Sequence, residues 1–256
     1  MRFVRFQKKG DEPRLGWVHE DLVGPVDGSL YREFIRGEAE LPLASVRLLA
    51  PVEPTKIICV GRNYAAHARE QNAEVPEVPL LFLKPPSSLN GPHDLIVLPP
   101  QSTQVEHEAE LAVVFGKRGR WIAADEALDY VLGYTVANDV TARDLQRRDG
   151  QWTRAKGFDT FCPVGPWIET EFDPSDAVIT CKVNDETRQM SSTRDMVFSI
   201  RQLIAYCSSI MTLEPGDLLL TGTPSGVSPL NDGDVVEVSI EGLGTIRNQV
   251  ISATNH

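Results

Sequence analysis

Short strand-like runs, each broken by proline or glycine, recur along this chain and restrict the folds open to it. Residues 1–50 contain several of them, for example Leu22-Val-Gly-Pro-Val-Asp-Gly28, separated by turn residues. Prolines spaced between Pro76 and Pro100 interrupt any regular helix in that stretch. Because strand signals outnumber helix signals, the chain is predicted to form a mixed, β-rich α+β fold.

Pro51 and Pro54 predict a domain boundary near residue 51. A small N-terminal β domain is expected at residues 1–50, and the main domain at residues 51–256. With 256 residues the chain can bury a large core without disulfides. Its four cysteines are widely spaced and form no Cys-x-x-Cys pair, so they are expected to be reduced and buried.

Hydrophobic periodicity and capping residues predict the remaining elements. Asn63 is expected to cap a helix that runs from Tyr64 to about Asn72. Further helices are predicted at residues 125–128, 141–148 and 199–209. Strands are predicted at residues 105–116, 130–138, 177–183, 235–240 and 244–251, and around residue 189.

The net charge excludes some classes of partner. The chain carries 25 basic and 36 acidic residues, a formal charge of −11, which repels phosphate backbones, so nucleic acid is not expected as a partner. No apolar run approaches the ~20 residues that span a membrane. The start, Met1-Arg-Phe-Val-Arg-Phe6, lacks the apolar run of a signal peptide, and a cytoplasmic protein is expected. An anionic substrate would require local positive charge from a metal, arginine or lysine.

An acidic strand provides the first candidate site. Alternation places Glu106, Glu108 and Glu110 on one strand face, ~7 Å apart from neighbour to neighbour, where their charges repel unless a cation or solvent compensates them. A solvated face is the usual explanation. The run continues into apolar residues, however, and a second strand ends at Asp139. Three carboxylates at such a junction indicate a site for Mg²⁺ or Mn²⁺.

Basic and polar residues provide further candidates. His67 and Glu70 share a face if their segment is helical, so the carboxylate can orient the imidazole, although such pairs are usually solvated. Arg143, Gln146 and Arg147 lie on one side of a predicted helix, where they could face a substrate carboxylate or, for the arginines, pair with Asp144 and Asp149. Gly222-Thr-Pro-Ser-Gly226 could be an anion-binding nest or a plain turn.

Five stretches, taken together and in order, resemble the fumarylacetoacetate hydrolase family, in its acylpyruvase and 2-hydroxyheptadienedioate isomerase branch. The resemblance covers roughly residues 55 to 252. It implies a β-roll in which mixed sheets wrap the active site, and a homodimer as the usual assembly. The stretches begin at Val60-Gly-Arg-Asn-Tyr, His107-Glu-Ala-Glu, Asn138-Asp-Val-Thr, Trp152-Thr-Arg-Ala-Lys and Leu220-Thr-Gly-Thr-Pro.

The resemblance also implies roles for individual residues. Glu108, Glu110 and Asp139 match the metal ligands, with Mg²⁺ expected and Mn²⁺ or Ca²⁺ able to substitute, while Glu106 lies outside the ligand pattern. Lys156 matches the active-site lysine and Thr223 a substrate-contacting threonine.

His67 and Glu70 match the catalytic dyad of the acylpyruvase branch, on a segment within residues 62–80 that closes as a lid in relatives. Arg143 and Gln146 are expected to bind the substrate, a small anionic 2-oxo acid. No role is assigned to Arg62 or Tyr64.

These assignments predict hydrolytic carbon–carbon cleavage of an acylpyruvate or fumarylpyruvate through a metal-stabilised enolate. His67, oriented by Glu70, would activate water, and Lys156 would stabilise the oxyanion. The same enolate also serves 2-hydroxyhepta-2,4-diene-1,7-dioate isomerisation or oxaloacetate-type decarboxylation, and both stay open. A rival of another class is a non-enzymatic Ca²⁺-binding module, which gains nothing from basic groups beside its cation.

Overall fold

The computed structural model describes residues 1–253 and confirms the mixed, β-rich fold with its small N-terminal β appendage. Its strands are β1 (Arg2–Gln7), β2 (Arg14–His19), β3 (Leu22–Gly28), β4 (Phe34–Arg36), β5 (Leu41–Pro42), β6 (Arg47–Leu49), β7 (Ile57–Gly61), β8 (Leu80–Lys84), β9 (Leu89–Asn90), β10 (Ile96–Leu98), β11 (Val105–Glu106), β12 (Ala109–Phe115), β13 (Val131–Asn138), β14 (Thr141–Ala142), β15 (Cys162–Glu169), β16 (Val178–Val183), β17 (Glu186–Ser192), β18 (Leu218–Leu220), β19 (Val235–Ile240) and β20 (Gly244–Ser252).

Helices are short and few in comparison. The α-helices are α1 (Ala65–Glu70), α2 (Arg143–Asp149), α3 (Thr153–Lys156) and α4 (Ile200–Ile210). Single 3₁₀ turns occur at Leu43–Ser45, Pro86–Ser88, Ala127–Tyr130 and Thr193–Asp195.

The strands form one large sheet and two smaller ones. The main path of the 13-stranded sheet runs β4-β3-β2-β1-β15-β13-β12-β18-β7-β8, and β5, β6 and β9 pair beside it. A five-stranded sheet has the order β10-β20-β19-β16-β17, and β11 pairs with β14. Most pairs are antiparallel, but β18 and β7 are parallel, so the large sheet is mixed.

The N-terminal strands continue the large sheet. β1 pairs antiparallel with β15, with Phe3 opposite Ile168, so residues 1–50 share a hydrogen-bonded sheet with the rest of the chain. The domain boundary near residue 51 stays a prediction.

Strand β12 lies at the centre of the core. All seven of its residues are buried, between β13 on one side and β18 on the other. Leu111 and Val113 pack in the cluster that contains the five-stranded sheet and α4. Ala112 and Val114 pack on the opposite face, in the cluster that includes Phe3. Because both faces are covered, β12 is a continuous apolar run except for Glu110.

The structure corrects several predicted boundaries. The first helix begins at Ala65 and ends at Glu70, with Tyr64 at its N-cap position and no side-chain cap. Asn63 does not cap it, because its side chain bonds the backbone of Phe198 and Thr221 instead. The helix predicted at residues 125–128 is a 3₁₀ turn at Ala127–Tyr130.

Other predictions are confirmed. Helix α4 begins after Ser199, whose hydroxyl accepts the amide hydrogen of Gln202 in a capping box. All four cysteines are unpaired and buried. Within residues 1–253 no helix has the length and apolarity needed to cross a membrane.

Replacing Leu111 with alanine is expected to lower the free energy of unfolding by about 2–5 kcal/mol, since its fully buried side chain would leave a cavity. Leu95→Ala is the matched control, because Leu95 is 43% exposed, and it is expected to cost well under half as much. Urea denaturation measures both. Equal losses would show that Leu111 is not central to the core.

Candidate active site

Three buried carboxylates meet where two central strands come together. Glu110 belongs to β12, Glu108 precedes that strand, and Asp139 follows β13. Antiparallel pairing sets Ala109 opposite Asn138, which brings the start of β12 to the end of β13. As a result, oxygen atoms of Glu108, Glu110 and Asp139 lie within 4.8 Å of one another.

The acidic segment is two strands rather than one. β11 ends at Glu106 and pairs with β14, and the chain leaves strand geometry at His107 and Glu108 before β12 begins. The amide of Glu108 donates to Asn138 Oδ1 at 2.9 Å, and its carbonyl accepts the Asp139 amide hydrogen at 2.9 Å. This break replaces the continuous alternation that the sequence predicts, and it ties Glu108 directly to Asp139.

Two lysines lie against the carboxylates. Lys156, at the end of α3, donates from Nζ to Glu108 Oε2 and Asp139 Oδ2, both at 2.7 Å. Lys84, at the end of β8, donates to Asp139 Oδ1 at 2.6 Å. Both ammonium groups are buried, and hydrogen-bonded ion pairs of this kind offset the cost of removing charges from water.

Arg143 links Glu108 to Glu106. Its Nη2 donates to Glu108 Oε1 at 2.6 Å and its Nε donates to Glu106 Oε2 at 2.7 Å. Its Nη1 donates to Gln146 Oε1 at 2.6 Å. Glu106 is therefore a partner of Arg143, outside the three-carboxylate group. The guanidinium is committed to protein groups, so Arg143 orients Glu108 as well as bordering the cavity.

The neighbouring charges move the pKa values of Glu108 and Glu110 in opposite directions. Burial would raise the pKa of Glu108, but Lys156 and Arg143 hold it below its usual value. Burial raises the pKa of Glu110 well above its usual value, and the charges of Asp139 and Glu108 raise it further. Glu110 accepts a hydrogen bond from the Gly222 amide at 2.7 Å but forms no ion pair among the described residues.

These residues fit a hard divalent cation. Oxygen-only ligands select Mg²⁺, Mn²⁺ or Ca²⁺ over soft metals. Including Glu106, four carboxylates face three basic side chains, Lys84, Lys156 and Arg143. Glu110 is the carboxylate without a basic partner, so its ionised form is not compensated by the described residues. A cation beside Glu110 would supply the missing positive charge.

His67 and Glu70 form the expected pair on α1. Nδ1 of His67 is 3.1 Å from Glu70 Oε2, and Glu70 Oε1 accepts the Gly226 amide hydrogen at 2.9 Å. Burial acts to raise the pKa of Glu70, but these two hydrogen bonds hold it below its usual value. Gly226 has φ +100°, and a β-carbon there would lie 2.0 Å from the Arg188 carbonyl oxygen, so this turn requires glycine.

The candidate residues surround one cavity of about 540 Å³. Asp139 and Glu70 are not among the lining residues, but each contacts one of them: Asp139 contacts Lys156, and Glu70 contacts His67. The other seven predicted site residues line the cavity: His67, Glu108, Glu110, Arg143, Gln146, Lys156 and Thr223.

Lys84 was not predicted at the site, and two alternatives were open for Arg147. Lys84 ends a run of four apolar and aromatic residues directly before Pro85, and a lone charge in such a run is a signal of a buried ion pair. Arg147 pairs with neither expected aspartate, because Asp149 binds Arg154 and Asp144 binds Ser102 and Thr103. Arg147 and Arg62 line the cavity instead.

Comparison with known families assigns nearly the whole chain. Residues 56–251 match the family described as fumarylacetoacetate (FAA) hydrolase C-terminal. Residues 1–51 match the family described as Rv2993c-like, N-terminal.

Individual relatives are similar over almost their full length. The mitochondrial oxaloacetate tautomerase Fahd2a of Rattus norvegicus is 50% identical over 287 residues, covering 98% of this chain and 92% of the relative. The crystal structure of 5-carboxymethyl-2-hydroxymuconate delta-isomerase from Mycobacterium smegmatis has a TM-score of 0.92 at 44% identity, covering 99% of this chain and 100% of that one.

A third relative was solved with a metal. Maleylpyruvate hydrolase from Sphingobium sp. SYK-6, in complex with manganese (II) ion and pyruvate, has a TM-score of 0.82 at 37% identity, covering 99% of this chain and 100% of that one. These similarities confirm the predicted fold.

Glu110→Gln is expected to lower the affinity for Mn²⁺ by at least about 100-fold and to stabilise the metal-free protein at neutral pH. Folding raises the pKa of Glu110, so the folded protein binds this proton more tightly than the unfolded chain does. The free energy of unfolding is therefore highest below the unfolded pKa and falls as the pH rises through the folded pKa. Glutamine does not ionise, so Glu110→Gln avoids this loss. Calorimetry measures binding and thermal melting measures stability.

Glu106→Gln is the control for that change, because Glu106 bonds Arg143 and lies outside the three-carboxylate group. It is expected to keep Mn²⁺ affinity. Equal losses in both variants would contradict the ligand assignment.

Proposed function

The chain belongs to the fumarylacetoacetate hydrolase family, and from that premise we propose that it is a divalent-metal-dependent isomerase or tautomerase of a small 2-oxo dicarboxylic acid. Two of the relatives described above are named as an oxaloacetate tautomerase and a delta-isomerase. These relatives favour an isomerising reaction, which the sequence left as an alternative, over the hydrolytic cleavage that it favoured.

One observation carries the proposal: a buried group of three carboxylates adjoins an oriented imidazole and a buried ammonium in the same cavity. Together these groups provide what keto–enol exchange requires. A divalent cation held by Glu108, Glu110 and Asp139 would polarise the 2-oxo group and make the C3 proton more acidic.

His67 is the proposed acid–base group. When Nδ1 donates to Glu70, Nε2 is the nitrogen left to exchange a proton with substrate carbon C3. From keto to enol, His67 would take the C3 proton, the C3–H electron pair forms the C2–C3 double bond, and the C2=O π pair moves to the oxygen. A proton from His67 or from solvent then binds that oxygen to give the enol. The reverse direction returns the proton to C3.

Lys156 supports the negative oxygen. Burial would lower the pKa of its ammonium, but Asp139 and Glu108 hold it above its usual value, so Lys156 is a cation and a hydrogen-bond donor rather than a base. An ammonium in a buried site stabilises charge that develops on the C2 oxygen.

Arg62 and Arg147 favour a second carboxylate on the substrate. Both line the cavity, and neither forms an ion pair within the described chain; the polar partner of Arg147 is Gln104, at 3.4 Å. Two guanidinium groups without carboxylate partners in one cavity attract a dianion, although the protein as a whole is strongly acidic. This arrangement supports a dicarboxylate in preference to a monocarboxylate.

Hydrolytic cleavage is the second candidate. The His67–Glu70 pair is also suited to activate water, and the manganese-bound relative is named as a maleylpyruvate hydrolase.

The proposed enzyme is a homodimer in the cytoplasm. Light scattering of the purified protein tests whether it is a dimer.

His67→Asn is expected to slow conversion of enol-oxaloacetate to the keto form about 10²–10⁴-fold, because it removes the acid–base group, while Mg²⁺ affinity is unchanged. Loss of enol ultraviolet absorbance measures the rate. The exposed His93→Asn is the control and should match wild type. A full rate in His67→Asn would rule out the assigned role, and turnover of acylpyruvates alone would favour hydrolysis.

Arg147→Gln is expected to raise KM for oxaloacetate about tenfold, with little change in KM for a monocarboxylic 2-oxo acid, because only the dianion reaches this guanidinium. Arg148→Gln is the neighbouring control, since Arg148 is exposed and outside the cavity lining. Equal effects on both substrates would contradict the selective role.

A further inference from the structure

A buried glutamine connects the carboxylate strand to the opposite wall of the cavity. Gln189 lies on β17 and is fully buried. Its Oε1 accepts hydrogen bonds from the Ala109 amide and from His107 Nδ1, both at 3.0 Å. Its Nε2 donates to Thr223 Oγ1 and to the Pro224 carbonyl, both at 2.8 Å.

The orientation of this side-chain amide follows from its backbone partners. The Ala109 N–H can only donate and the Pro224 carbonyl can only accept, so the first identifies the oxygen of Gln189 and the second its nitrogen. Both hydrogens of the Gln189 amide are therefore committed. The reverse orientation would leave two buried repulsive contacts.

The direction of these hydrogen bonds determines whether the Thr223 hydroxyl is a donor or an acceptor towards the cavity. Because its hydroxyl oxygen accepts from Gln189, its hydrogen is left for another acceptor, and the described residues supply none. Thr223 lines the cavity, and the preceding residue, Gly222, is held by Glu110.

We propose that Gln189 is a positioning residue that fixes the Thr223 hydroxyl as a hydrogen-bond donor to an anionic oxygen of the substrate. The inference rests on the proposed function, since it concerns a ligand in the same cavity.

The same amide also sets the distance between Thr223 and the carboxylates. Ala109, which it binds, lies between Glu108 and Glu110, so one side chain links the candidate metal ligands to the Thr223 loop. His107 extends the network through its Nε2, 2.9 Å from Ser228 Oγ. A ligand bound at a cation that these carboxylates would hold would also meet a fixed donor at Thr223, which favours carboxylate or enolate oxygens over groups that themselves donate.

A double-mutant cycle tests the coupling. In Gln189→Glu, an oxygen replaces Nε2, so the Thr223 hydroxyl is no longer obliged to accept there. That oxygen can itself accept the hydroxyl hydrogen, which turns the hydrogen away from the cavity. Gln189→Glu and Thr223→Val are each expected to weaken oxalate binding and to lower kcat/KM about 10- to 100-fold, the range for one hydrogen bond to a charged group. Thr223→Ser should retain both.

The decisive result is the double variant, measured by calorimetry with oxalate in the presence of Mg²⁺. If Gln189 acts through Thr223, Gln189→Glu/Thr223→Val is no weaker than Thr223→Val alone. Multiplied losses, or wild-type affinity in Gln189→Glu, would overturn the inference. The exposed Gln249→Glu is the matched control. If the effects on oxalate binding are non-additive but the protein turns over no 2-oxo acid, the proposed function is wrong and this inference still holds.

Nuclear magnetic resonance provides a test that does not require Gln189→Glu to fold. In wild type, both side-chain amide hydrogens of Gln189 should exchange slowly with solvent, because both are hydrogen-bonded in a buried site. Thr223→Val should expose or shift one of the two resonances, whereas Thr223→Ser should leave both in place. No change in Thr223→Val would refute the bond on which the inference depends.

Discussion

The ion-pair network around Glu108 and Asp139 is the interaction on which the site depends. Burying like charges side by side is costly, and removing one partner of such a pair leaves an uncompensated charge. Here the opposing charges come from different elements: Lys84 from β8, Arg143 from α2 and Lys156 from α3. The network therefore attaches three peripheral elements to the two central strands.

The basic side chains are distributed unevenly over the three carboxylates. This uneven distribution explains how the same network can stabilise the fold and still bind a cation. Glu108 and Asp139 are hydrogen-bonded to lysine, whereas Glu110 has a backbone amide and no cation. A divalent ion would add positive charge where the protein lacks it and would leave the cavity positive overall. Arg62 and Arg147, which also line the cavity, add to that positive field. An acidic protein can in this way attract and hold an anion.

The predictability of the site depended on how far apart its partners lie in the sequence. The apolar run of β12 identified a central strand, and the neighbouring glutamates together with Asp139 were recognisable from their order along the chain. The strand break at His107 was not, because the acidic alternation continues through it, and the break is imposed by contacts with Asn138 and Gln189. Gln189 itself lies in the polar strand β17, where nothing in the local pattern distinguishes a buried glutamine from a solvated one.

The candidate catalytic residues are held by two parts of the structure, the central strands and α1, and this division bears on which reaction the cavity performs. The carboxylates and lysines are fixed by ion pairs and by the paired central strands, so the core would determine the position of a 2-oxo group bound in the proposed way. His67 instead lies on α1, six residues long, which contacts the rest of the site through Glu70 and the Gly226 amide. The imidazole is therefore positioned by a different element from the ones that carry the carboxylates. In the proposed function, the choice between isomerisation and cleavage would depend on whether His67 reaches substrate C3 or a water molecule, and so on the position of α1.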